Sequence, residues 1–212
     1  MKYHAFVERF SKLPLLEPAC LLEGSKNLRQ MYVQLSRWQK TGRLIQLCRG
    51  FYVLPESYRK TEPSEVFVAS RLHGPSYVSL EKALEYHGVI PEAVSVYTSV
   101  TSKRPLRYET PLGIFDYRHI QAPLFWGYES VTLNRQTGFM ARPEKAFLDL
   151  FYLRPIEISP ASLKELRIEN FEKFDARWLK KAAARFGKEK MVRAADCLIE
   201  YLRPEKGRKA RP

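Results

Sequence analysis

From residue 25 onward the apolar positions Leu28, Met31, Leu35 and Trp38 recur at helical spacing, while Lys26, Arg29, Gln30, Val33, Gln34 and Arg37 fall on the opposite side. Ser25 suits the N-cap and Gly42 the stop, so the pattern predicts a helix over 25–40. Two short apolar runs follow, at 44–47 and 51–54, joined by Cys48-Arg49-Gly50. They predict a hairpin over 43–54, with Gly50 supplying the positive φ of a tight turn. The apolar stretch 15–22, closed by Gly24, predicts the first helix of a helix-turn-helix. Ahead of it, Phe6, Val7 and Phe10 predict a helix over 3–13 that ends at Pro14.

Beyond the polar break Lys60-Thr61-Glu62-Pro63 the period changes repeatedly. A helix is predicted over 64–72, a strand over 76–78, and a helix capped by Ser79 that runs to His87 and stops at Gly88. Strands follow over 94–101, 107–110 and 114–120, the last two turning at Pro111-Leu112-Gly113, and another over 128–133. Pro143 suits the first turn of a helix reaching about residue 152. From Pro160 the pattern is helical, in segments near 160–166, 178–186 and 191–202. Ser79-Leu80-Glu81-Lys82-Ala83-Leu84 echoes Arg142-Pro143-Glu144-Lys145-Ala146-Phe147, two helix starts that share a glutamate in the first turn. The expected fold class is therefore α+β. An N-terminal winged helix-turn-helix covers 1–60, a mixed α/β domain with a helical C-terminal segment covers 61–203, and a basic, disordered tail covers 204–212.

Charge follows these divisions. The 212-residue chain carries a net +13, yet residues 1–60 hold 11 basic and 4 acidic side chains whereas 61–160 hold 10 and 11. Within 24–60 the count is 8 basic to 1 acidic. An excess concentrated on one helix and hairpin is the footprint of a module that binds a polyanion. The major groove offers distinguishable donors and acceptors, so Ser25, Lys26, Asn27, Arg29 and Gln30 are the expected base readers, with Gln34 on the same face. Arg37, Lys40 and Arg43 are the expected phosphate clamps, and Arg49 at the hairpin tip the contact to backbone or minor groove. Trp38 and Tyr52, at these spacings, belong to the core.

Other functions find less support. His4, His73, His87 and His119 are scattered, so no metal site is expected, and no phosphate-binding glycine loop or nucleophile motif points to a cofactor or to catalysis. Glu144, Lys145 and Asp149 invite comparison with a nuclease cluster, but adjacent helical residues point about 100° apart. Cys20, Cys48 and Cys197 form no CxxC pair, which suits reduced thiols. No run is long and apolar enough for a membrane helix, and no apolar leader opens the chain, so a cytoplasmic protein is expected. A basic face does not separate duplex DNA from structured RNA. An RNA-binding antitoxin-like factor, or a protein-interaction module without sequence-specific DNA readout, therefore stays open.

Trp38-Gln39-Lys40-Thr41-Gly42-Arg43-Leu44-Ile45 with Arg49-Gly50-Phe51-Tyr52-Val53-Leu54 resembles the end of the N-terminal winged-helix domain of AbiEi-type antitoxins. The resemblance continues through Pro75-Ser76-Tyr77-Val78-Ser79-Leu80-Glu81-Lys82-Ala83-Leu84, Gly88-Val89-Ile90-Pro91-Glu92 and Thr98-Ser99-Val100-Thr101. It ends at Arg142-Pro143-Glu144-Lys145-Ala146-Phe147-Leu148-Asp149, so it spans roughly 25–152 in several short ordered blocks. It implies a regulator from an abortive-infection (type IV toxin-antitoxin) locus that represses its own operon by binding inverted repeats in double-stranded DNA. It also implies a functional link to a nucleotidyltransferase-like toxin without a stable complex. A two-fold operator would suit two copies paired on the DNA as a homodimer. Residues 153–212 lie outside the resemblance.

Overall fold

Helix α1 spans Tyr3–Phe10 and buries Phe6 and Phe10. It is shorter than the predicted 3–13, because the residue before Pro14 is disfavoured in helical backbone and the chain turns at Ser11–Lys12. The computed structural model describes residues 2–17, 20–21 and 28–208. Leu15 and Leu16 correct the expected helix over 15–22. Leu16 exchanges both backbone hydrogen bonds with Tyr52, at 2.8 and 3.0 Å, and helical backbone is found at Cys20 and Leu21. Leu15 faces one hydrophobic cluster and Leu16 another, so both sides of the extended chain are buried. A short apolar run of that kind reads the same whether it is strand or helix.

Helix α2 spans Leu28–Lys40. Leu35 and Trp38 are buried, Met31 packs beside them, and the three join Phe6, Phe10, Leu16, Leu21, Leu44, Tyr52 and Leu54 in one N-terminal cluster. Gly42, at φ +68°, turns the chain out of the helix, and the N–H groups of Arg43 and Leu44 both return to Trp38 O. Strands β1 (Ile45–Cys48) and β2 (Phe51–Val53) form the predicted hairpin, with Arg49 and Gly50 at the turn and Gly50 at φ +90°. The register slips between Gln46 and Cys48, a bulge that turns Leu47 into the protein.

The larger part is one six-stranded mixed sheet. Its strands are β3 (Ser76–Val78), β4 (Val96–Thr101), β5 (Leu106–Thr110), β6 (Gly113–His119), β7 (Tyr128–Leu133) and β8 (Gln136–Ala141). Their spatial order is β5-β6-β4-β3-β8-β7, with β4/β6 and β3/β8 parallel and the other pairs antiparallel. Strand β8 has no counterpart in the sequence reading. Helix α3 (Glu65–Leu72) lies on one face, where Ser76 and Tyr117 hydroxyls donate to Ala69 O. Helices α4 (Leu80–Tyr86) and α5 (Pro143–Leu153) pack together, and Tyr77 reaches α5 from the face opposite Ser76. Helices α6 (Pro160–Glu165), α7 (Ala176–Arg185) and α8 (Glu189–Arg208) complete that side. The fold is α+β.

Two further expectations need correction. Ser79 stands at the N-cap of α4, but its side chain makes no capping bond; its hydroxyl donates to Asp149 Oδ2 at 2.8 Å, and the next residue, Leu80, takes a left-handed φ of +53°. The tail expected to be disordered begins inside α8, which continues to Arg208; residues 209–212 lie outside the described residues.

Candidate nucleic-acid interface

Helix α2 reads LRQMYVQLSRWQK, with three cations and no carboxylate. Once Leu35 and Trp38 are fixed inward, helical geometry brings Arg29, Val33, Ser36, Arg37 and Lys40 onto one outward stripe, and all five are exposed. Tyr32 flanks that stripe at 53% exposure. The helix is tied to the hairpin from two directions. Gln39 Nε2 donates to Gln46 Oε1 at 2.8 Å, and Leu44 enters the cluster beneath Trp38. Behind the helix, Tyr3 donates its hydroxyl to Arg43 O at 2.8 Å, and the Arg43 guanidinium lies 5.4 Å from the Tyr3 ring centroid. Desolvation, as the larger effect, raises the Tyr3 pKa, so the phenol stays a donor at neutral pH.

The hairpin is also held from the far side. Ile45, Leu47, Cys48, Phe51 and Val53 pack into the large core, and β1 lies against β5. Burial raises the Cys48 thiol above its ordinary pKa, so it is no reactive thiolate. Glu17 accepts both a 2.7 Å and a 2.6 Å bond from the Arg71 guanidinium of α3. Helix, hairpin and sheet are thus locked together, with Arg49 exposed at the hairpin tip.

Each predicted contact residue can now be located. Arg29, Gln30, Arg37 and Lys40 are exposed on α2, Gln34 is half-buried at the margin, and Arg43 and Arg49 are exposed at the two ends of the hairpin. Ser25, Lys26 and Asn27 lie outside the described residues. Trp38 and Tyr52 are core side chains.

A second basic feature went unnoticed in the sequence. His73, Lys103, Arg104 and His119, with Ser102 and Pro105, line an open groove of about 660 Å³ at the start of β5, the strand that meets the hairpin. His73 and His119 each hydrogen-bond a carbonyl of the 102–105 loop, at 3.1 Å to Arg104 O and 3.0 Å to Lys103 O. The near-neutral charge of 61–160 hid this cluster, because its basic members are 30 to 46 residues from His73 in sequence yet adjacent in space.

The Lys145 and Asp149 side chains that invited the nuclease comparison are buried. Lys145 and Asp149, one helical turn apart on α5, form an ion pair with both side chains fully enclosed. Lys145 Nζ also donates to Tyr77 Oη at 2.9 Å, and Tyr77 and Ser79 donate to Asp149 Oδ2 at 3.0 and 2.8 Å. The ammonium sits 5.1 Å from the Trp126 ring centroid and 5.0 Å from that of Phe186. Burial pulls the Lys145 pKa down and pushes the Asp149 pKa up, and each partner opposes the shift in the other. Glu144 points elsewhere, accepting from the Asp175 N–H at 2.6 Å. No shared carboxylate site for a metal arises on α5, and among the described residues no cluster of three or more His, Cys, Asp or Glu could hold one.

No helix among the described residues is long and apolar enough to cross a membrane. No family model matches the chain, and no curated protein is significantly similar to it. The likeness to AbiEi-type antitoxins therefore stands on its sequence blocks alone.

Proposed function

We propose that the chain is a sequence-specific, double-stranded-DNA-binding regulator of transcription. In this reading the N-terminal unit is a winged helix-turn-helix, with α2 in the major groove and the β1–β2 hairpin as the wing. One observation carries it: a carboxylate-free helix whose outward stripe exposes Arg29, Arg37 and Lys40, fastened to a hairpin with arginine at its tip. Arg29 and Gln30 reach base edges. Arg37, Lys40, Arg43 and Arg49 neutralise phosphates around them. The clamp formed by Leu16–Tyr52, Gln39–Gln46 and the hairpin's buried face supports a docking surface with little freedom to lose on binding.

With the AbiEi-like blocks, this reading extends to a cytoplasmic autorepressor that pairs on inverted repeats. The sheet domain would answer to a nucleotidyltransferase-like toxin without holding it in a stable complex. No catalytic step is assigned to the chain. Its test is selection of bound duplexes from a random pool, followed by titration of selected, random and RNA duplexes of equal length over a range of salt. A preference of at least about 10³ for selected DNA, with affinity falling steeply as salt rises, is expected. Equal affinity for selected and random DNA would end the claim, and tighter binding to the RNA would replace DNA by RNA as the partner.

A further inference from the structure

Among the described residues, no hydrophobic packing accounts for Val33. It is 46% exposed and belongs to neither hydrophobic cluster, although Met31, Leu35 and Trp38 of the same helix join the N-terminal one. A β-branched residue in an exposed helix interior is also a poorer helix former than alanine. Its place on the outward stripe is central: Arg29 and Arg37 stand four residues to either side, and Ser36 and Lys40 complete the surround. An apolar partner protein would meet a rim of cations with no carboxylate among them. A polyanion with one apolar group inside its groove matches both features.

Duplex DNA has such a group. The only apolar substituent on the floor of the major groove is the C5-methyl of thymine. We infer that Val33 reads a thymine methyl, making it the specificity-determining residue at the centre of the α2 footprint, with Arg29 and Arg37 straddling it. This inference rests on the reading of α2 as a major-groove helix and names one chemical group in its operator. A short, stiff side chain reaches the groove floor only where the helix comes closest, whereas longer arginines reach from the flanks. Thymine is therefore expected near the middle of each half-site.

The decisive comparison uses duplexes selected from a random pool and the full-length protein. In one set every thymine in the bound half-site is replaced by deoxyuridine, which removes the methyl and keeps the hydrogen-bonding edge. A control set carries the replacement outside the footprint. The wild-type protein should lose about three- to tenfold in affinity on the first set and nothing on the control, as expected for one methyl returned to water. Val33→Ala, which favours the helix and leaves folding intact, should bind thymine and uracil duplexes within about twofold of each other. Arg29→Ala should weaken binding yet stay sensitive to the replacement. Equal wild-type affinity for both sets, with preference over random DNA retained, overturns the inference and leaves the proposed function standing. So does a Val33→Ala protein that stays as sensitive as wild type, because another residue then reads the methyl. Dissociation of a DNA-free dimer by Val33→Ala, without uracil sensitivity, would assign the patch to a second copy of the chain. Absence of any preference over random DNA would instead remove the reading beneath it.

Discussion

Lys145 and Asp149 show what a single buried side chain can demand of its surroundings. Their pair is closed on all sides by Tyr77, Ser79, Trp126 and Phe186, so neither charge has water to fall back on. Lys145→Met leaves an uncompensated buried carboxylate and should destabilise the protein by about 3–5 kcal/mol in urea denaturation. Lys145→Met/Asp149→Leu should recover much of that loss, since it removes the second charge as well. His87 makes a pH prediction. Its Nε2 lies 2.8 Å from Ala141 O, so the neutral ring with a proton on that nitrogen fits the fold. Burial, outweighing the hydrogen bond to Ala141 and the nearby Glu144 and Glu129, lowers its pKa below 6.5. The unfolded chain then takes up a proton first as pH falls, and stability should decline just below pH 6.5 until the folded ring also protonates. His87→Gln, an amide donor that does not titrate, should flatten that part of the stability–pH curve.

At the scale of the element, α2 and β8 teach opposite lessons. The α2 period was legible because Met31, Leu35 and Trp38 turn inward while Arg29, Gln30, Arg37 and Lys40 are exposed, with Tyr32 and Val33 as the exposed exceptions. Its residues should separate by role. Arg29→Ala is expected to relax the preference among duplexes, at about 1–3 kcal/mol of discrimination, while Lys40→Ala weakens every duplex alike and lowers the salt slope by about 1. Competition binding at several salt concentrations reads both. Strand β8 was illegible because it buries Gln136 and Gly138 and exposes Thr137 and Phe139, against the usual alternation. Gln136 is inside to serve the start of α3, accepting from the Ser64 N–H at 2.8 Å and donating to Glu62 O at 2.7 Å. Gly138 is inside because a Cβ there would stand 2.5 Å from Val66 O on α3. Gly138→Ala must push helix from sheet, and a loss of about 1–3 kcal/mol in thermal or urea unfolding is expected, as for overpacking.

Across the whole molecule, the N-terminal unit and the sheet share a core. Leu15, Leu47 and Val53 sit in the same cluster as the sheet residues Tyr77, Val100 and Tyr117, while the Glu17–Arg71 pair ties the surface above them. A Trp126→Phe/Trp178→Phe protein, in which fluorescence reports Trp38 alone, should therefore unfold in urea at the same midpoint as its far-ultraviolet circular dichroism. Two separated midpoints would show that the units unfold independently. The hairpin packs against β5, and the His73–His119 groove lies at the loop that leads into the same strand.

The linear order of residues was enough to locate α2, the β1–β2 hairpin, strands β3 to β7 and helix α5. In each of these, local periodicity and turn chemistry agree with the burial finally adopted. It also separated the basic N-terminal third from the near-neutral middle, because charge is additive along a chain. Only tertiary packing could make Leu16 a strand partner of Tyr52, since an apolar pair buried on both sides carries no period of its own. Packing alone also decided that Ser79 serves Asp149 rather than its own helix, and that Gln136 and Gly138 face inward. The groove of His73, Lys103, Arg104 and His119, too, exists only in space. In every such case the partner is a group distant in sequence, whose proximity no local pattern encodes.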